Sequence, residues 1–180
     1  MRRRTFLIAA AVLLFVSSAP AQQSTGDYLV FVGSYTHPTL TTTSASKGIY
    51  AFRFDAKSGT LAPLGIAAEA VNPAHLWASP NGKYLYVSNR GHDSLALYSV
   101  DPGKGTLALI DYIPSLGRTP RNITIDPSNE YLFCANQNGE NVVVFRIDHK
   151  TGHLTPTGSQ QPVAQAAGIA IVKVQSLLQE

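Results

Sequence analysis

Three stretches decide the fold: YAFRFDAKSGTL at residues 50–61, LALYSVDPGKGTL at 95–107 and VVVFRIDHKTGHL at 142–154. They align on Asp55, Asp101 and Asp148, which stand 46 and 47 residues apart. Each aspartate is followed four residues later by glycine: Gly59, Gly105 and Gly152. Asp accepts hydrogen bonds from turn backbone and Gly supplies a positive φ, so D-x-x-x-G reads as the hairpin between two short strands. A second marker recurs beside it. SPNGKYLYVSN ends at Asn89 and DPSNEYLFCAN at Asn136, again 47 residues apart.

A repeat of this length, built of short apolar runs and punctuated by Gly, Pro, Asn and Asp, is the size of a four-stranded propeller blade. Inner strands A are expected at 74–79 and 121–126, strands B at 83–89 and 130–136, strands C before each aspartate, and strands D at 106–112 and 153–158. Apolar alternation in strand C is imperfect, as expected for strands packed on both faces by neighbouring blades. The fold class is therefore all-β, with about three blades of four antiparallel strands. Residues 28–33, YLVFVG, resemble a strand B with no strand A before it. Residues 168–174, GIAIVKV, begin 47 residues after Arg121 and take the place of an inner strand. The expectation is that this C-terminal strand completes the first blade. The polar run at 37–46 reads as a long B–C loop.

The first residues read differently. Arg2, Arg3 and Arg4 precede an apolar run at 6–16, and Ala19-Pro20-Ala21 fits an A-x-A cleavage pattern. The apolar run is too short for a bilayer core that needs roughly 20 residues. Residues 1–21 are thus expected to be a secretory signal cleaved after Ala21, leaving 22–180 as a propeller domain that is periplasmic or secreted, with no membrane anchor. Of the chain's 14 Lys+Arg, three lie in that signal, so the remainder carries 11 against 11 Asp+Glu, a net charge of zero. This excludes a nucleic-acid-binding reading, which needs a clustered basic face. Cys134 has no partner for a disulfide and reads as a small buried side chain.

Beyond the repeat, YLYVSNRGHDSLALYSVD at 84–101, GRTPRNITIDPSNEYLFCANQNGENVVVFRID at 117–148 and TGHLTPTG at 151–158 closely resemble the last two blades of the lactonase family of seven-bladed propellers. That family includes the propeller-type 6-phosphogluconolactonases. FVGSYT at 31–36 and residues 46–65 resemble its first blade. The resemblance implies that four middle blades are missing, with the joint between Asn72 and Asn89. It also implies hydrolysis of a sugar or small organic lactone, without a cofactor.

Geometry and resemblance together select site residues. The start of strand A and the end of strand B share one edge, so Arg121 and Arg90 are expected at one mouth of the central channel, with His92 and Asp93 on the same rim. Guanidinium forks there suit a carboxylate or a developing oxyanion. Arg90 and Arg121 match arginines of the family's S-N-R and P-R-N motifs, and His75 retains the histidine of its G-P-R-H motif. Arg90, Arg121 and His75 are the expected catalytic residues; His92 and Asp93 are expected to bind substrate. No metal site is expected. The sequence departs from the family at Ala74, where the motif has Arg, and at Arg90 and Gln137, where neither strand-B end supplies the family's Glu. The missing carboxylate keeps a second reading open: an exported, non-catalytic propeller used for binding. The expected partner is a small lactone or anion, with a homo-oligomer as one way to complete the ring.

Overall fold

The computed structural model describes residues 27–36 and 45–174. The expected signal and most of the 37–46 loop lie outside them. Among the described residues there is no helix, and eleven strands form three antiparallel sheets. Blade 1 comprises β1 (Asp27–Gly33), β2 (Gly48–Asp55) and β3 (Thr60–Glu69). Blade 2 comprises β4 (Pro73–Ala78), β5 (Tyr84–Asn89), β6 (Ser94–Asp101) and β7 (Thr106–Pro114). Blade 3 comprises β8 (Pro120–Ile125), β9 (Tyr131–Asn136), β10 (Asn141–Ile147) and β11 (Leu154–Pro162). The inner strands start one residue earlier than the repeat suggested, and the outer strands run several residues longer.

The three D-x-x-x-G turns have one geometry. Gly59, Gly105 and Gly152 each donate their N–H to the carbonyl of the leading aspartate at 2.7–2.8 Å. The Asp55, Asp101 and Asp148 carboxylates accept the N–H two residues on at 2.8–2.9 Å. All three glycines sit at positive φ, between 71° and 77°. The blade 3 hairpin also locks its blade to the one before it. In blade 3, Tyr86 donates its hydroxyl to the Gly152 carbonyl at 2.8 Å, and Tyr84 donates to the Lys150 carbonyl at 2.6 Å. A side chain at 152 would meet the Tyr84 ring at 2.8 Å, so glycine is required there for space as well as conformation.

Alternation along blade 2 builds both halves of the core. Leu85, Val87, Ala96 and Tyr98 face blade 1, packing with Ile49 and Ala51. Tyr86, Leu95 and Leu97 face blade 3, packing with Ile123, Leu132, Val143 and Phe145. Full burial of a side chain such as Leu97 stabilises by about 1.5–3 kcal/mol. A strand buried on both faces has no polar face to show, which is why its sequence does not alternate. Cys134 is fully buried in this layer, and burial pushes its thiol up to about 12.

The expected closure does not form. Residues 168–174 carry no strand pairing, and the sheet of blade 1 ends at β1. The Thr124 hydroxyl instead donates to the Ile169 carbonyl at 3.4 Å. Ile123 and Ile125 face blade 2, so Thr124, between them, faces away. The C-terminal segment therefore lies on the side of blade 3 opposite blade 2, whereas β1 packs against β4 at the other end of the arc. A closing strand works only where the last blade adjoins the first, and an arc of three blades keeps its ends apart.

Candidate functional site

One rim gathers the ends of the second strands and the starts of the inner ones: Pro73 pairs with Asn89, and Pro120 with Asn136. Arg90 follows Asn89 directly and Arg121 follows Pro120. Arg90 is half-buried and donates from Nη1 to the Tyr35 hydroxyl at 3.2 Å. Arg121 is exposed and donates to Gln137 Oε1 at 3.4 Å. Among the described residues neither guanidinium forms an ion pair, so neither positive charge is neutralised by a neighbouring blade.

A cavity of about 350 Å³ opens beside Arg90, lined by Val71, Asn72, Asn89, His92 and Tyr112 among others. Its origin is local. The link from β3 to β4 has three residues, 70–72, whereas that from β7 to β8 has five, 115–119. The longer link covers Asn136, whose Nδ2 donates to the Ser115 carbonyl at 3.0 Å. The shorter link leaves the equivalent Asn89 bordering open space. Asn89 is 5% exposed, and its Oδ1 has no hydrogen-bond partner among the described residues. Asn72 closes one side with φ 47°, its Oδ1 accepting the Thr36 N–H at 3.0 Å.

The structure brings Arg90 and His92 together at this cavity and separates the other expected residues from it. His92 Nδ1 lies 2.8 Å from Ser94 Oγ, and its ring tilts against Tyr112 at 5.3 Å, which leaves Nε2 as the uncommitted nitrogen. Asp93 is occupied structurally. Its Oδ1 accepts the Thr119 N–H at 2.7 Å and its carbonyl accepts from Ser115, fastening the B–C loop of blade 2 to the link entering blade 3. His75 reaches from β4 to β8: Nδ1 accepts the Ile123 N–H at 3.4 Å, and Nε2 lies 3.1 Å from the Asn122 amide. Burial holds its imidazole below the usual range, and accepting from Ile123 requires the same neutral form. His75 is thus a neutral bridge between inner strands. Asn89 and Tyr112 were missed by the sequence reading; the unequal link lengths were the available signal. Among the described residues, no group of three or more His, Cys, Asp or Glu is placed to hold a metal.

His149 and His153 sit on the surface, beside Glu130 at 2.9 Å and Asp111 at 3.7 Å. Tyr86 and Tyr98 are core residues, and Trp77 and Tyr84 pack against the core. Tyr131 lies under the Arg146 guanidinium at 5.6 Å.

Face-to-face sheets around an inner row of strands, with Arg90 and Arg121 on one rim, define a segment of a β-propeller. The chain belongs to the lactonase family of seven-bladed β-propellers, whose model matches residues 70–172, more than half of the chain. A 6-phosphogluconolactonase of Formosa agariphila is 44% identical over 101 residues, covering 54% of this chain and 27% of that protein. The crystal structure of a candidate 6-phosphogluconolactonase from Bacteroides fragilis superposes with a TM-score of 0.62 at 30% identity, covering 79% of this chain and 38% of that one. The periplasmic gluconolactonase of Pseudomonas aeruginosa superposes with a TM-score of 0.60 at 27% identity, covering 71% and 37%. The chain thus spans between about a quarter and two fifths of the length of these relatives.

Proposed function

We propose that the chain hydrolyses a sugar or small organic lactone at the Arg90 cavity. The observation that carries this reading is Arg90 itself, a guanidinium that lines a ligand-sized cavity and has no carboxylate partner among the described residues. Water attacks the lactone carbonyl while His92 Nε2 takes its proton. Arg90 donates hydrogen bonds to the tetrahedral oxyanion. The ring oxygen then leaves and recovers a proton, giving a hydroxycarboxylate whose charge the same guanidinium holds. A positioned base contributes typically 10²–10⁴-fold, and one oxyanion donor about 10²–10³-fold. Export is part of the proposal, and it favours an unphosphorylated lactone. It is supported by the basic and apolar N-terminal pattern and by the periplasmic setting in the Pseudomonas relative's description.

A second reading, binding without turnover, is favoured by one observation: among the described residues no carboxylate lines the cavity, and Asp93 is engaged by Thr119. A gluconolactone hydrolysis assay and calorimetric titration with gluconate separate the two. Turnover that falls at least 100-fold in Arg90→Ala supports the hydrolase. Gluconate binding without turnover, abolished by Arg90→Ala, supports the binding protein. A folded sample that does neither removes both.

A further inference from the structure

Blades 2 and 3 each have an inner strand, β4 and β8, hydrogen-bonded to the next. Blade 1 has none, so β1 is an edge strand among the described residues. Along that edge Tyr28 is 60% and Val32 43% exposed. An open apolar edge presents unpaired N–H and C=O groups and is a template for a further strand.

At the opposite end of the arc lies a strand without a sheet. Residues 168–174, GIAIVKV, keep the 47-residue spacing of the inner strands and are rich in β-branched side chains. Both alternating rows are largely apolar, as in an inner strand packed on two faces. Yet they pair with no strand, and Val172 and Val174 are 82% and 87% exposed. The segment lies beyond blade 3 and the open edge before blade 2, so one copy does not bring them together.

We propose that the inner-strand place of blade 1 is taken by residues 168–174 of a second copy of this chain. The segment leaves blade 3 where the inner strand of a following blade begins, and that following blade is the partner's first. The contact is head-to-tail, and two copies related by a twofold axis make it reciprocally. Six blades then close one ring, within the four to eight that propellers use. The register follows from the repeats. Leu76 pairs with Val87 and Ile123 with Cys134, so Ala170, their counterpart 47 residues on, falls opposite Val32, the β1 counterpart of Val87 and Cys134.

The test uses the full chain. Val32→Cys and Ala170→Cys variants carrying different tags are co-expressed, purified through both tags and mildly oxidised. A disulfide joining one copy of each is expected, while Val71→Cys, exposed but off the strand, gives none with Ala170→Cys. Sedimentation of the unaltered protein is expected to give twice the chain mass, and Ile171→Asp to give a monomer with its blades intact. A monomeric unaltered protein overturns the proposal. So does a cross-link confined within one chain in the Val32→Cys, Ala170→Cys double variant, or an Ile171→Asp protein that remains dimeric.

Discussion

Asn89 and Asn136 occupy the same place in successive blades, 47 residues apart, but among the described residues only Asn136 has both halves of its carboxamide partnered. Asn136 Nδ2 donates to the Ser115 carbonyl and to Asn141 Oδ1, both at 3.0 Å, and its Oδ1 accepts from Cys134 Sγ at 3.6 Å. Asn89 Nδ2 reaches Ser94 Oγ at 3.4 Å, while its Oδ1 has no partner. The two-residue difference between the links above them separates a sealed joint from an open cavity.

Truncation at these positions should therefore differ. Asn136→Ala strands the Ser115 carbonyl and is expected to cost about 1–3 kcal/mol. Asn89→Ala removes an unpaired buried acceptor and is expected to cost clearly less. Urea denaturation of the two variants, compared through their midpoints at equal slope, gives the order.

The hairpin glycines provide a paired measurement. Gly59 and Gly152 have nearly the same φ, 71° and 77°, but nothing lies within 4 Å of a side chain built at 59. Gly59→Ala pays only for left-handed backbone, about 1–2 kcal/mol. Gly152→Ala adds the clash with Tyr84 and strains the Tyr86 hydrogen bond to the 152 carbonyl, so its loss should be larger. Thermal unfolding of both checks the ranking.

His75 sets a pH dependence whose sign is fixed. Its folded pKa lies below the unfolded value of about 6.5, so above that pH the group is neutral in both states and its contribution is complete. As pH falls below about 6.5 the unfolded chain takes the proton first, and stability is lost. Other titratable groups of the chain respond to pH as well. The readout is therefore a difference. From pH 7.5 to 5.0, the melting temperature of the unaltered chain should fall further than that of His75→Gln, and an equal fall in both would contradict the bridge.

Asp93 should behave as a fastener rather than a ligand group. It sits at φ 53°, which Asn tolerates well, and its Oδ1 takes the Thr119 N–H. Asp93→Asn is expected to retain most stability, and Asp93→Ala to lose about 1–3 kcal/mol through the unpaired amide. Under the proposed function, Arg90→Ala is expected to abolish gluconate binding, and neither Asp93 variant should weaken it. Denaturation and calorimetry on the same samples report both properties.

The sequence by itself determined the blade. Asp55, Asp101 and Asp148 with their glycines mark hairpins whose chemistry is local, and a turn that depends on four residues repeats wherever those residues repeat. It also placed Arg90 and Arg121 on one rim, because strand order alone decides which ends share an edge. Only the tertiary structure decided that residues 168–174 lie beyond blade 3 instead of beside β1, since pairing distant segments depends on how blades accumulate around an axis. It alone likewise parted His75 and Asp93 from the Arg90 cavity, because which partner a rim side chain meets depends on the packing of links two residues different in length.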